Sequence, residues 1–161
     1  MKEINKSFSF IEYNSINELE EEDRQLLQTA IATTANAYAP YSNFLVGAAA
    51  RLHNQQIVTG TNQENASFPA GICAERVLLS AAASLFPKES IHTIAITCIN
   101  QKGENNQPIY PCGICRQSLA EYEARFSNNI KLILGGAQGK VHVIKSATEL
   151  LPFSFTSKDL N

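Results

Sequence analysis

Three features of this 161-residue sequence predict a three-layer α/β architecture. Short runs rich in β-branched residues alternate with helical segments along the chain. The middle helical segment, around Val77-Leu78-Leu79-Ser80-Ala81-Ala82-Ala83, is apolar or small on every side, so it belongs in a core. No internal repeat or linker interrupts this order, which predicts one domain over residues 1–161, with residues 1–16 as an N-terminal arm of unassigned role.

The elements follow in order. The opening arm shows no strong periodicity. Asn17 reads as a helix N-cap, with Glu18, Glu20, Glu21 and Glu22 in the first turns answering the helix dipole. Leu19, Leu26, Leu27 and Ile31 form the apolar stripe of this helix, which ends before Pro40. Two β-like runs, Phe44–Leu52 and 56–61, flank the polar turn His53-Asn54-Gln55 as a hairpin. Phe68-Pro69-Ala70-Gly71 breaks the chain before a second helix, about 72–86. Residues 91–99 make a β-branched strand, and 101–108 a polar loop. A third helix, roughly 112–126, follows Pro111. Strands at 130–134 and, beyond Gly135-Gly136, at 140–144 bring the total to five, expected to form one central mixed sheet. A helical turn at Glu149-Leu150-Leu151 stops at Pro152.

Composition narrows the function classes. The formal net charge is -2 and no Lys/Arg cluster appears, which argues against a general nucleic-acid binder. The first residues lack the apolar core of a signal peptide, and no apolar run approaches the ~18 residues of a membrane span. A cytoplasmic location is therefore expected, and there closely spaced cysteines point to metal or catalysis rather than disulfides.

Cys73-Ala74-Glu75 and Pro111-Cys112-Gly113-Ile114-Cys115 carry the chemistry. Three thiolates can hold a zinc ion and leave a fourth tetrahedral position open, the mark of a catalytic site. Cys73 and Cys112 both fall near predicted helix N-termini, where the dipole and free N–H groups stabilise thiolates. Glu75 is placed to face the open position as a general acid/base. Arg76 and Arg116, each directly after a motif residue, are candidates to offset the negative charge. Other readings stay open on spacing alone. Cys-x-x-Cys also serves zinc ribbons and thioredoxin-like redox sites. A redox motif needs no partner at Cys73, and a structural zinc needs a fourth ligand. Cys98 alternates with Ile94 and Ile96 on one strand face, as a buried small hydrophobe does. His53, His92 and His142 have no ligand-like spacing to any cysteine.

Asn62-Gln63-Glu64-Asn65-Ala66, Cys73-Ala74-Glu75-Arg76 and Pro111-Cys112-Gly113-Ile114-Cys115-Arg116-Gln117 resemble the small cytidine deaminases. Ala39-Pro40-Tyr41-Ser42-Asn43-Phe44-Leu45-Val46-Gly47-Ala48-Ala49 upstream, and Glu149-Leu150-Leu151-Pro152 with Phe155 downstream, extend the likeness over about 17–160. The resemblance implies a cytidine deaminase-like fold and one Zn²⁺ per subunit on Cys73, Cys112 and Cys115. It implies hydrolytic deamination of cytidine and deoxycytidine to uridine and deoxyuridine in pyrimidine salvage, by zinc hydroxide attack on C4 with Glu75 as proton shuttle. It further implies that Asn62 and Glu64 bind the ribose hydroxyls, that Phe44 packs on the pyrimidine, and that the Ala74 backbone fixes the carbonyl edge of the base. Phe155 would reach a neighbouring subunit's pocket in a homotetramer. The implied partner is a small nucleoside, with no nucleic-acid polymer and no membrane.

Two positions depart from the family pattern: the arm before Asn17 is longer than usual, and Phe68 stands where tyrosine is common. The competing functions are a deaminase of a cytosine-nucleoside antibiotic, a non-catalytic zinc-stabilised binding module, and a polynucleotide editor. Plainer roles also exist for single residues: Phe44 as strand core, Asn62 as a turn former, Arg76 as a solvated helix residue and Phe155 as a tail anchor.

Overall fold

The computed structural model describes residues 1–160. Its strands are β1 (Phe10–Tyr13), β2 (Phe44–Leu52), β3 (Ile57–Thr61), β4 (Ile91–Asn100), β5 (Lys131–Gly135) and β6 (Val141–Ile144). The helices are α1 (Glu21–Thr33), α2 (Ala74–Leu85) and α3 (Gly113–Phe126). The strands form one sheet in the order β1-β6-β5-β4-β2-β3. Only β4 and β5 pair in parallel, so the sheet is mixed. A parallel pair cannot be closed by a tight turn, and α3 supplies the crossover between them.

Strand alternation sorts the core into two clusters. Ala48, Ala50 and Leu52 of β2, Ile94 and Ile96 of β4, and Leu132 and Leu134 of β5 face α2 and α3. Ala49, Ala95 and Ile133, one residue out of phase, face Leu26, Leu27 and Ala30 of α1. Helices therefore cover both faces of the sheet. Each fully buried Leu or Ile contributes about 1.5–3 kcal/mol of burial. On the α1 side a buried ion pair adds orientation: Lys131 Nζ lies 2.8 Å from Asp23 Oδ1, and Arg51 lies 3.5 Å from the same oxygen.

The sheet has six strands, not five. The additional strand, β1, lies within the arm that carried no periodic signal. It pairs antiparallel with β6, Glu12 opposite His142. Four residues with both faces largely exposed leave no alternating pattern to read, and pairing with β6 supplies what local sequence does not. Asn17 is not the cap of the first helix. Residues Ile16–Glu18 form a 3₁₀ turn, and the Glu18 carboxylate turns back to accept the Asn14 backbone N–H at 3.0 Å. The helix then starts at Glu21, with Leu19 buried ahead of it. α2 buries Ala74, Leu78, Leu79 and Ala82 but leaves Ser80 and Leu85 exposed, so one side of it faces outward.

A buried carboxylate ties the C-terminal segment to α3. Glu123 accepts the backbone N–H groups of Ile130 at 2.6 Å and Ala147 at 2.8 Å, and the Ser146 hydroxyl at 2.9 Å. These bonds hold the 3₁₀ turn Ala147–Leu150 against the helix. Its last carbonyl, Leu150 O, accepts from Arg116 at 3.2 Å.

Candidate metal centre and active site

Two helix starts and one strand end build the site. Cys73 is the N-cap residue of α2 and Cys112 that of α3. Cys115 lies one turn into α3, fully buried. The close approach of α2 to β3 depends on Gly60. A Cβ at that position would stand 2.5 Å from the Ala74 carbonyl oxygen and 2.6 Å from the Leu78 nitrogen. Beyond β3 the chain is clamped on two sides. Gln63 exchanges backbone hydrogen bonds with Ile72 at 2.9 and 3.0 Å, and Tyr38 bonds Asn62 and Glu64 at 3.0 and 2.8 Å. This clamp sets Asn62 and Glu64 beside Cys73.

Cys73 Sγ lies 3.8 Å from Cys112 Sγ, and Cys112 Sγ 3.4 Å from Cys115 Sγ. All three sulfurs lie within 4.8 Å of one another. Tetrahedral Zn–S bonds of the usual length place sulfurs about 3.8 Å apart, so the cluster fits zinc. Among the described residues no fourth His, Cys, Asp or Glu joins it. The donor set, three thiolates with an open fourth position, therefore suits a catalytic rather than a structural ion.

Local electrostatics move two of the thiols in opposite directions. The Cys73 thiol is pulled down to about 5, first by its hydrogen bond with Cys115, against burial, and then by Cys112 and Arg76. The same bond with Cys73, then burial, pushes the Cys115 thiol up. A divalent ion held by both sulfurs would take the place of the remaining thiol proton. Arg76 interacts with both Cys73 and Cys115, and its buried Nε has no hydrogen-bond partner among the described residues. Its other end donates to the Gly71 carbonyl at 3.3 Å. Arg116 instead donates to the carbonyls of Pro111 at 2.8 Å and Leu150 at 3.2 Å, bracing the start of α3. Glu75 is buried, 5% exposed, and burial raises its carboxyl above the usual range, with the Cys73 thiolate adding to the rise.

The three-sulfur cluster opens into a cavity of about 710 Å³. Phe44, Asn62, Glu64, Ala74 and Glu75 line it, together with Cys73 and Cys112. Asn62 braces the strand beside it, donating to the Phe44 carbonyl at 2.9 Å and accepting from the Val46 N–H at 2.8 Å. Glu64 Oε2 accepts from the backbone N–H groups of Tyr41 at 2.9 Å and Ser42 at 3.3 Å. The Ser42 hydroxyl first, and then these N–H groups, hold the Glu64 carboxyl below its ordinary value. Phe155 stands apart. It is 59% exposed, lines no part of this cavity, and its carbonyl accepts from Gln117 at 2.8 Å. Cys98 is buried, 3% exposed, and outside the cluster. The lining also includes Asn100, Ile109 and Tyr110, which sequence reasoning did not single out. Tyr110 sits immediately before Pro111, and that adjacency to the metal motif was the one available signal.

A family model for the cytidine and deoxycytidylate deaminase zinc-binding region matches residues 20–127. The chain is 39% identical over 140 residues to a cytidine deaminase of Halalkalibacterium halodurans, covering 86% of this chain and 98% of that protein. It is 33% identical over 125 residues to the cytidine deaminase of Sporosarcina psychrophila, covering 78% and 85%. Among solved structures, the cytidine deaminase from Burkholderia pseudomallei superposes with a TM-score of 0.72 at 36% identity, covering 85% of this chain and all of that one. The Mycobacterium tuberculosis cytidine deaminase superposes with a TM-score of 0.65 at 29% identity, covering 84% and 98%.

Proposed function

The chain belongs to the cytidine and deoxycytidylate deaminase family and is a zinc-dependent cytidine deaminase, and we propose the residue roles by which it works. One observation supports the reading above all: three thiol sulfurs within 4.8 Å of one another, with a buried carboxyl beside them, open into a nucleoside-sized cavity. Cys73, Cys112 and Cys115 hold the ion, which when bound acidifies the water that displaces the exocyclic amine at C4. The Glu75 carboxylate takes one proton from that water and delivers it to N3 of the ring, then relays the water's second proton, from the new C4 hydroxyl, to the amine, which leaves as ammonia as the C4–N bond breaks. Water adds, ammonia departs, and uridine remains. Burial raises the Glu75 carboxyl above the usual range, which favours its holding the proton between the two transfers.

The substrate-binding roles follow the lining. The Glu64 carboxylate accepts from the ribose hydroxyls as a charge-assisted bond, with its loop held by Tyr41 and Ser42. Asn62 holds the strand under the sugar and offers its remaining amide hydrogen. Phe44 packs on the pyrimidine, and the Ala74 backbone meets the carbonyl edge of the base. Deoxycytidine shares every contact except one hydroxyl and is taken as a second substrate. Arg76 offsets the charge of the thiolates, and Arg116 fixes the helix that carries two of them.

One zinc per subunit, a single domain over residues 1–161, a cytoplasmic setting and a homotetramer complete the reading. No helix among the described residues is long and apolar enough to cross a membrane. Exposed Phe68, Phe153 and Phe155 support assembly, with Phe155 entering the cavity of an adjacent copy. Incubating the purified protein with cytidine, deoxycytidine and a cytosine-nucleoside antibiotic tests the function. The expected result is loss of cytidine absorbance with stoichiometric ammonia, abolished by a zinc chelator and restored by zinc. Turnover of the antibiotic with cytidine untouched would move the substrate assignment.

A further inference from the structure

Tyr110 lines the cavity next to Cys112, yet its hydroxyl points away into the sheet. It lies 2.7 Å from His142 Nδ1, and His142 Nε2 lies 2.8 Å from Glu12 Oε2. Lys140 Nζ donates to the other Glu12 oxygen at 2.7 Å. A carboxylate only accepts, so Nε2 carries the imidazole proton, and in the neutral ring Nδ1 accepts the Tyr110 hydroxyl. The chain of bonds runs from the N-terminal strand to the cavity wall.

The β1–β6 register is what assembles it. Glu12 pairs directly opposite His142, and opposed residues share a face. Phe10, two residues back on the same face, lays its ring 4.7 Å from the imidazole. His142 is thereby 8% exposed. Lys140 first, and His142 second, hold the Glu12 carboxyl below its usual value, so the acceptor end stays charged. Glu12 and His142 both lie outside residues 20–127, the part that matches the family model.

We propose that β1, through Glu12 and His142, fixes Tyr110 as a preset wall of the nucleoside cavity, making Tyr110 an affinity-determining residue and Glu12 and His142 its positioning residues. This rests on the nucleoside reading of that cavity. Tyr110 is 49% exposed, and a half-exposed ring without a tether samples several rotamers. Ordering it on binding then weakens affinity by about two- to tenfold, the range for one immobilised side chain. A tethered ring has met that cost before the nucleoside arrives.

Calorimetry with uridine, the product, reads affinity without turnover, and steady-state cytidine kinetics separate KM from kcat. Tyr110→Phe keeps the ring and removes only the tether. It is expected to raise the uridine Kd and the cytidine KM about two- to tenfold while kcat and zinc content stay close to wild type. Glu12→Ala is expected to raise Kd in the Tyr110 background and to add nothing in the Tyr110→Phe background. Unchanged Kd and KM in Tyr110→Phe overturn the proposal, as does an equal Glu12→Ala effect in both backgrounds. A lowered Tm with unchanged Kd assigns the bonds to strand anchoring and overturns it too. A wild-type protein that neither binds uridine nor deaminates cytidine contradicts the nucleoside reading itself, an outcome distinct from these.

Discussion

Gly60→Ala tests whether the packing of α2 on β3 sets the site. The added Cβ would stand 2.5 Å from the Ala74 carbonyl oxygen, 2.6 Å from the Leu78 nitrogen and 3.0 Å from the Leu78 Cα. These are backbone atoms of the first five residues of α2, so no side chain can swing clear. Ordinary contact begins at 3.4 Å, so the helix must withdraw by roughly 0.9 Å. Overpacking of this kind costs about 1–3 kcal/mol. For a chain of this size that lowers Tm by roughly 3–9 °C. A functional cost comes on top of this. Cys73 and Glu75 travel with α2, while Cys112 and Cys115 stay on α3. A shift near 1 Å in reacting geometry lowers the rate by about a hundredfold. Thermal unfolding, zinc affinity by competition with a chromogenic chelator, and cytidine kcat/KM measure the three effects. A variant with wild-type kcat/KM and wild-type zinc affinity, whatever its Tm, would show that α2–β3 packing does not set the site.

Three further outcomes follow from other contacts. Glu64 carries a lowered pKa, so its charge, and the loop contact that depends on it, are present above about 4.5 and lost only as pH falls through the lower folded value. The cytidine KM of the wild type should therefore stay flat from pH 7 down to about 5, and a rise already at pH 6 would contradict the role given to Glu64. Glu123→Ala removes the acceptor of several buried donors and should lower stability by roughly 3 kcal/mol or more, read by urea unfolding, with loss of order first at residues 146–150. Zinc removal should open Cys73 and Cys112, the two ligand cysteines not buried, to a thiol reagent while Cys98, buried and with its thiol pKa raised by burial, reacts only on unfolding. Fast labelling of Cys98 in the folded protein, found by peptide mapping, would contradict that separation.

The metal ligands were readable because their signal is chemical and local. Cys73, Cys112 and Cys115 carry a rare side chain at telling spacing, and helix starts marked by Gly71 and Pro111 frame them. The other five strands were readable because each is long or β-branched. Residues 10–13 were not, because β1 is an edge strand whose existence depends on β6, more than a hundred residues away in sequence. Tyr110 was hidden because its partner His142 lies on another strand, and Glu12 reaches it only through His142 by strand register, which no local pattern encodes. The Asn17 assignment failed for a different reason. Both Asn17 and Glu20 precede acidic residues, and a turn that buries Leu19 decides between them. Arg76 and Arg116 looked equivalent in sequence. In the fold one faces the thiols and the other holds backbone carbonyls.

The most direct measurement pairs zinc content with turnover in the wild type and in Glu75→Gln. The account predicts one zinc per chain in both proteins and a fall in cytidine kcat of about 10²–10⁴ in the variant, the usual contribution of a positioned proton carrier. A Glu75→Gln protein that keeps its zinc and deaminates cytidine at the wild-type rate would contradict it.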